Sequence, residues 1–363
     1  MGLTIAGIWT ALPMHAIDQA DAAEIARRFC CDGDPQRRTI TELYGRSGVK
    51  RRHSVLLQSS NGPIEGRQSF FRPRATEHDG GPTTEERIQS YEQHAPQLAL
   101  KAAHDALQDA ALSPEAVTHL ITVSCTGFSA PGFDLSLIRQ LRLSPGVSRT
   151  HLGFMGCHGA LNGLRIARAF AEAEPAACVL LCAVELCSLH HACGGSLDKI
   201  IANSLFADGA AAVVCRAAPT QGWNLVASGS AIIPDSEDAM SWRITNHGFA
   251  MTLSRRVPEL IHRHLGRWMN WWLRQNQLSV DRIGCWAIHP GGPRILDAVS
   301  KALELDQTQL AESRAVLEEL GNMSSPTTLF IMDRLRRRRA PLPCVALGFG
   351  PGMAVEAALI TQV

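Results

Sequence analysis

Residues 149–186 read RTHLGFMGCHGALNGLRIARAFAEAEPAACVLLCAVEL. The string divides into a strand over Arg149–Phe154, a glycine-flanked turn in which Cys157 opens a helix, and a second strand over Cys178–Leu186. Leu161, Leu164, Ala167 and Phe170 recur at threefold spacing and give the helix one apolar face. Cys178–Leu186 is almost entirely apolar, as in a strand covered on both faces. A strand, a helix and a doubly covered strand in succession predict an α/β fold.

The same alternation extends outward. An opening strand within Met1–Pro13, a helix over Ile17–Phe29, a basic loop (Arg46, Lys50, Arg51, Arg52) and a polar loop over residues 60–86 lead to a helix at Tyr91–Leu112. Strand His119–Ser124 and helix Leu135–Leu143 precede the quoted stretch, and strand Gly209–Cys215 follows it. The second half predicts strands at Trp223–Ile233, Gly284–Ile288, Cys344–Phe349 and Met353–Ile360, with helices at Val257–Gln275 and Pro293–Leu303. Asp208-Gly209-Ala210-Ala211 and Gly350-Pro351-Gly352-Met353 each feed an apolar strand, an echo that predicts two related halves, residues 1–220 and 221–363.

Composition narrows the function. A chain of 363 residues with 45% hydrophobic content can bury a large core. Thirty-five Lys+Arg against 34 Asp+Glu leave a net charge of +1, so no whole-chain field draws it to nucleic acid or an anionic membrane. Eleven cysteines, an odd number in a chain this size, argue against a disulfide framework and for a reducing compartment. The first residues lack the pattern of a secretory signal, so the expected location is cytoplasmic.

Three segments carry candidate chemistry. In Gly153-Phe154-Met155-Gly156-Cys157-His158-Gly159 the helix start favours a thiolate and predicts a lowered thiol pKa; the competing reading is an inert buried cysteine. In Ile288-His289-Pro290-Gly291-Gly292-Pro293 a histidine occupies the strand-end position where α/β proteins place reactive groups. In Gly321-Asn322-Met323-Ser324-Ser325, Asn322 reads as an amide donor to an oxyanion, and the alternative is a helix N-cap at Ser324 or Ser325.

Other signals read as structural. Cys182, Cys187, His190, His191 and Cys193 lack zinc-ligand spacing, so no metal is expected. Arg336–Arg339 reads as a solvated helix end. The helix holding Trp268, Trp271 and Trp272 reads as core, with a membrane or acyl-chain contact as the alternative.

Taken together, Gly153–Gly159, His289–Pro293, Gly321–Ser325 and Gly348-Phe349-Gly350-Pro351-Gly352 resemble the type III polyketide synthases, the relatives of chalcone synthase. The resemblance runs from Leu43–Val49 to the last strand. It implies a thiolase fold, two similar α/β halves in a five-layer αβαβα sandwich, and a homodimer. It implies that Cys157 is the acyl-bearing nucleophile, with His289 and Asn322 as its catalytic partners. Phe206 falls on an aromatic gate, Met251 on a second gate that is phenylalanine in plants, and Arg46 on a basic position facing CoA phosphates. Thr126, Gly291, Gly292, Gly350 and Pro351 join the expected substrate-binding set. Cys125-Thr126-Gly127-Phe128 resembles the bacterial branch, in which a cysteine here lines the cavity, and Ala130 stands where plants extend a methionine across the dimer.

The function so implied needs no cofactor beyond CoA thioesters. It is iterative decarboxylative Claisen condensation of malonyl-CoA onto a starter acyl-CoA, closing to a resorcinol, pyrone or related aromatic. The alternatives are a single-round ketoacyl synthase or thiolase-like enzyme and a non-catalytic acyl-CoA-binding protein.

Overall fold

The computed structural model describes residues 2–30, 34–73, 76, 79–192, 196–217 and 222–362. Its strands are β1 (Leu3–Ala11), β2 (Ala16–Asp18), β3 (Arg51–His53), β4 (His119–Ser124), β5 (Ser148–Gly153), β6 (Cys178–Leu186) and β7 (Asp208–Arg216). The later ones are β8 (Trp223–Ile232), β9 (Met240–Thr245), β10 (Gly248–Leu253), β11 (Cys285–Ile288), β12 (Cys344–Gly350) and β13 (Ala354–Gln362). Its helices are α1 (Gln19–Cys30), α2 (Asp34–Gly45), α3 (Thr84–Asp109), α4 (Phe133–Leu141) and α5 (Gly159–Ala173). They continue as α6 (Leu197–Leu205), α7 (Val257–Gln275), α8 (Pro293–Leu303), α9 (Ala311–Leu320) and α10 (Thr327–Arg337).

Nine strands form one mixed sheet in the order β11-β12-β13-β8-β1-β7-β6-β4-β5. It is two half-sheets of one plan. In the first, β4 runs parallel to β6, and β7 lies antiparallel to both β6 and β1. In the second, β11 runs parallel to β12, and β13 lies antiparallel to both β12 and β8. The halves meet where β1 pairs with β8 through Leu3–Leu225, Thr4–Asn224 and Ile5–Trp223. β5 extends the first half beyond β4.

Side-chain alternation along the strands sorts the core into layers. On β6, Val179, Leu181 and Ala183 enter a central core, whereas Leu180, Cys182 and Val184 enter an outer one. On β13, Ala358 and Ile360 reach the same central core, and Val355, Ala357 and Leu359 face the opposite outer core. The central core is filled by α5 (Ala160, Leu161, Leu164) and α10 (Leu329, Phe330, Ile331, Met332). Helices α3 and α4 cover the first half outside, and α7 and α8 cover the second. The result is the expected five-layer αβαβα sandwich of the thiolase fold.

Several elements differ from expectation for local reasons. Ile17 belongs to β2, which pairs with Arg52, so the first helix starts at Gln19. Helix α3 begins seven residues before Tyr91, at Thr84, because a capping box joins Thr83 and Glu86 inside the supposed polar loop. Helices α2, α6 and α9 and the β9–β10 hairpin have no counterpart among the expected elements. The boundary placed at 220/221, and Cys193, lie outside the described residues.

The rejected signals have structural uses. Arg336 pairs with Asp109 at 2.7 Å, Arg337 holds both oxygens of Asp333 at 2.9 Å and stacks 4.3 Å over Trp9, and Arg338 pairs with Glu312. On α7, Leu265, Met269, Trp272 and Leu273 are buried, Trp268 stacks on Trp272 at 5.9 Å, and Trp271 is 53% exposed. No helix among the described residues is long and apolar enough to cross a membrane.

Candidate active site

β5 ends at Gly153, and the chain turns through Phe154 (φ 57°) and Gly156 (φ 74°). A single 3-10 turn, Gly156–His158, then hands over to α5, so Cys157 sits just ahead of the helix rather than within it. Gly156 admits no side chain, because its φ is left-handed and a Cβ would lie 2.2 Å from Pro351 Cδ. A Cβ on Gly350 would lie 2.4 Å from the His158 ring and 2.7 Å from the Met155 carbonyl. Gly350 and Pro351, expected to bind substrate, thus form the backing against which the cysteine turn is pressed.

Cys157 is buried, and its thiol hydrogen-bonds with the side chains of Ser324 and Asn322. Burial pushes the thiol up to about 12, against those two hydrogen bonds, which favour the thiolate. The lowered value expected from the helix start is therefore overturned: the sulfur is out of water, and the Glu185 carboxylate adds to the upward push.

Asn322 is fixed by its backbone, whose N–H donates to Leu205 O and whose carbonyl accepts from Ala207 N, both at 2.9 Å, alongside Phe206. Its Oδ1 accepts the Ser324 N–H at 2.8 Å, which leaves the amide NH2 as donor toward sulfur. The N-cap alternative fails, since Pro326 is the N-cap of α10 and Ser325 donates to Glu185 at 2.6 Å.

His289 follows β11 and continues its register, its N–H donating to Leu347 O at 2.8 Å. The ring is 1% exposed, and neither nitrogen has a hydrogen-bond partner among the described residues. Burial pulls its pKa down to about 3, helped by His158, the neighbour of Cys157. At neutral pH Cys157 therefore carries a neutral thiol and His289 a neutral imidazole with open nitrogens.

Sequence reasoning assigns no role to Glu185, although one carboxylate inside an otherwise apolar strand is a visible signal. It is fully buried and accepts from Cys125 N (2.9 Å), Thr126 Oγ1 (2.8 Å) and Ser325 Oγ (2.6 Å). Burial raises its pKa to about 7. Cys125 Sγ in turn accepts the Gly156 N–H at 3.0 Å. Cys125 and Thr126, expected to line the pocket, are therefore buried and tied to the cysteine turn and to Glu185.

The remaining expected residues gather in two cavities. Arg46, Gly291 and Gly292 line one of about 300 Å³, together with Arg255 and Arg294. Phe206 and Met251, the two gate positions, line another of about 40 Å³ with Cys187 and His190. His190 has both ring nitrogens engaged, Nε2 donating to Thr126 O at 2.6 Å and Nδ1 accepting from Phe249 N at 3.0 Å. Cys182 contacts Ala99 O on the outer face of the sheet, so the cysteine–histidine cluster is split between faces.

Comparison with known proteins shows the family. Residues 2–219 match the family of chalcone and stilbene synthases, N-terminal domain, and residues 224–363 match its C-terminal domain. The 1,3,6,8-tetrahydroxynaphthalene synthase of Streptomyces peucetius subsp. caesius is 33% identical, over 99% of this chain and 93% of that protein. The alpha-pyrone synthesis polyketide synthase-like Pks18 of Mycobacterium tuberculosis is 31% identical, over 98% of this chain and 90% of its own length. Among solved structures, PKS-I from the brown alga Ectocarpus siliculosus superposes with a TM-score of 0.91 at 29% identity, covering 100% of this chain and 98% of that one. The C-terminal type III polyketide synthase domain of Steely1 from Dictyostelium gives 0.90 at 28%, with both chains covered in full.

Proposed function

Because this chain belongs to the chalcone and stilbene synthase family, and is therefore a type III polyketide synthase that condenses malonyl-CoA, we propose that Cys157, His289 and Asn322 carry out its chemistry. The observation that carries this reading is the Cys157 thiol hydrogen-bonded with Asn322, with a neutral His289 whose ring nitrogens are open. His289 takes the thiol proton as sulfur attacks the carbonyl of a starter acyl-CoA, and returns it to the departing CoA thiolate. Malonyl-CoA then loses carbon dioxide, its C–C bonding pair passing into an enolate held by the Asn322 amide and His289. The enolate carbon attacks the Cys157 thioester, a C–C bond forms, and the cysteine thiolate leaves. The product, longer by two carbons, can reload and repeat before closing to a resorcinol, pyrone or related aromatic.

The 300 Å³ cavity suits the nucleotide end of CoA. Arg46, Arg255 and Arg294 supply cations for phosphate, and Gly292 leads into α8 past Pro293. In this division the first half supplies the nucleophile and the second supplies His289 and Asn322. A homodimer through the β5 edge is supported by that strand's position at the end of the sheet and by the exposed Phe128 (49%) and Met155 (37%) nearby.

The test incubates purified protein with malonyl-CoA and a ladder of starter acyl-CoAs, reading products and intact-protein mass, with Cys157→Ala alongside. An acyl adduct on the wild type alone, with pyrone or aromatic products, is expected. Full condensation by Cys157→Ala would overturn the assignment.

A further inference from the structure

Three of the four arginines that end α10 are spent on local partners. Arg336 pairs with Asp109 at 2.7 Å and donates to Ala6 O at 3.2 Å, Arg337 holds Asp333, and Arg338 pairs with Glu312. Arg339 has no carboxylate partner among the described residues. Its backbone is also unusual. At φ 52° it is the left-handed residue that closes the helix, its N–H donating to Arg336 O and that of Ala340 to Leu335 O, both at 3.0 Å. Glycine normally fills this place, because a Cβ in the left-handed region crowds the following carbonyl. The side chain here is accounted for by what it faces.

Arg339 lines a cleft of about 590 Å³ together with Arg336 and with Arg216, the last residue of β7. Arg216 is likewise exposed and has no carboxylate partner among the described residues. None of the described residues lining the cleft is acidic. Asp109, which answers Arg336, also accepts the Ile8 N–H at 3.0 Å. Two guanidinium groups from different elements thus stand uncompensated on one concave surface. Ile5, Ala110, Trp223 and Leu342 give the rest of that surface its apolar character.

The cleft lies far from the chemistry. It opens at the seam of the two half-sheets, where Thr4 is in register with Arg216 and Ile5 with Trp223. β13 starts just beyond Pro351, beside the cysteine turn, and ends at Gln362 on the cleft. Its nine residues, at about 3.4 Å per step, separate the two places by roughly 27 Å.

Two unpaired guanidinium forks match the two charges of a terminal phosphate, whereas a single carboxylate would leave one of them unanswered. The volume falls in the range of about 300–1,000 Å³ that small-molecule sites occupy, so a ligand filling it carries a body as well as a phosphate. We infer that this cleft binds an organic phosphate of the nucleotide class, its terminal phosphate held by Arg216 and Arg339 and its body lying on the apolar wall at Trp223 and Leu342. Such a ligand bridges the halves, since Arg216 closes the first and Trp223 opens the second.

The experiment titrates the full chain with ADP, inorganic phosphate and adenosine by isothermal calorimetry. All measurements are made in Arg294→Ala, which weakens the 300 Å³ cavity as a competing place for ADP. ADP is expected to bind this chain at least tenfold more tightly than inorganic phosphate or adenosine. Adding Arg216→Ala or Arg339→Gly should weaken ADP binding by at least about tenfold, the effect of losing one charge-assisted hydrogen bond. Arg339→Gly installs the residue the backbone prefers, so its urea midpoint should equal or exceed that of its parent, and its loss of binding is then not a loss of fold. No ADP binding by the Arg294→Ala chain, or ADP affinity unchanged by Arg216→Ala and Arg339→Gly, would overturn the inference. Adenosine or inorganic phosphate binding as tightly as ADP would overturn it as well.

Discussion

Replacing Gly350 with alanine tests whether the loop after β12 sets the position of the nucleophile. Gly350 has φ −152°, a conformation open to any residue, so the backbone itself raises no objection. The objection is spatial. The new methyl would lie 2.4 Å from His158 Cδ2 and 2.7 Å from the Met155 carbonyl oxygen. The imidazole has little freedom to retreat, since it is 2% exposed and its Nδ1 lies 2.6 Å from Asn162 Oδ1, and the carbonyl belongs to the cysteine turn itself. Overpacking of this kind costs about 1–3 kcal/mol. Relief must come from moving residues 155–158, and a displacement of about 1 Å at a reacting group lowers rates by about 100-fold. We expect Gly350→Ala to lose about 1–3 kcal/mol in urea denaturation and about 100-fold in acyl loading of Cys157. CoA affinity should be unchanged, because the 300 Å³ cavity is built by other segments. Wild-type stability and loading rate in this variant would refute the argument that the glycine exists to admit the turn.

Further expectations concern pH, capping and the tryptophan helix. His289 and His190 are held neutral by burial, with pKa values near 3 in the fold, so their contribution is present above pH 6.5 and is lost as pH falls. Glu185, raised to about 7 in the fold, has the opposite sign: the fold binds its proton more readily, so its contribution grows as pH falls from 7 toward 4.5. Glu185→Gln should therefore lose about 2 kcal/mol more than wild type between pH 7.5 and 5.5, measured by denaturation at each pH, and parallel curves would refute the assignment. Thr83→Ala, which removes the capping box of α3, should cost about 0.5–2 kcal/mol without altering acyl loading. Trp271→Gln should change stability by less than about 0.5 kcal/mol and leave liposome flotation unaltered, whereas Trp272→Gln should cost about 3–5 kcal/mol.

Much of the fold was legible because its central strands bury both faces. Cys178–Leu186 and His119–Ser124 have the same limits in the sequence reading and in the structure, and every residue of both is buried. The amphipathic helices Val257–Gln275 and Pro293–Leu303 were equally visible, each with proline in its first turn. Elements lying on the surface were not. Helix α2 contains Arg37, Arg38 and Glu42 and rests on a small local cluster through Ile40 and Tyr44, so its periodicity is faint. At the site, strand ends and glycines pointed to Cys157 and His289, but the pressure of Pro351 on Gly156 joins positions distant in sequence and appears only in the fold. The pKa of Cys157 was misjudged for a related reason, because desolvation is a property of the assembled interior.

The sandwiching of α5 between both half-sheets has a consequence for how the protein is made. One face of α5 packs on β4 and β6, which emerge from the ribosome near it, but the other awaits β12 and β13 at the far end of the chain. At about 5–20 residues per second, that apolar face waits on the order of 10–40 s for its cover. Gly350 and Pro351, which seat the cysteine turn, arrive in the same late segment. Nascent chains are thus most exposed to aggregation, and to capture by chaperones that bind apolar surface, in the interval between synthesis of the nucleophile and synthesis of the residues that seat it.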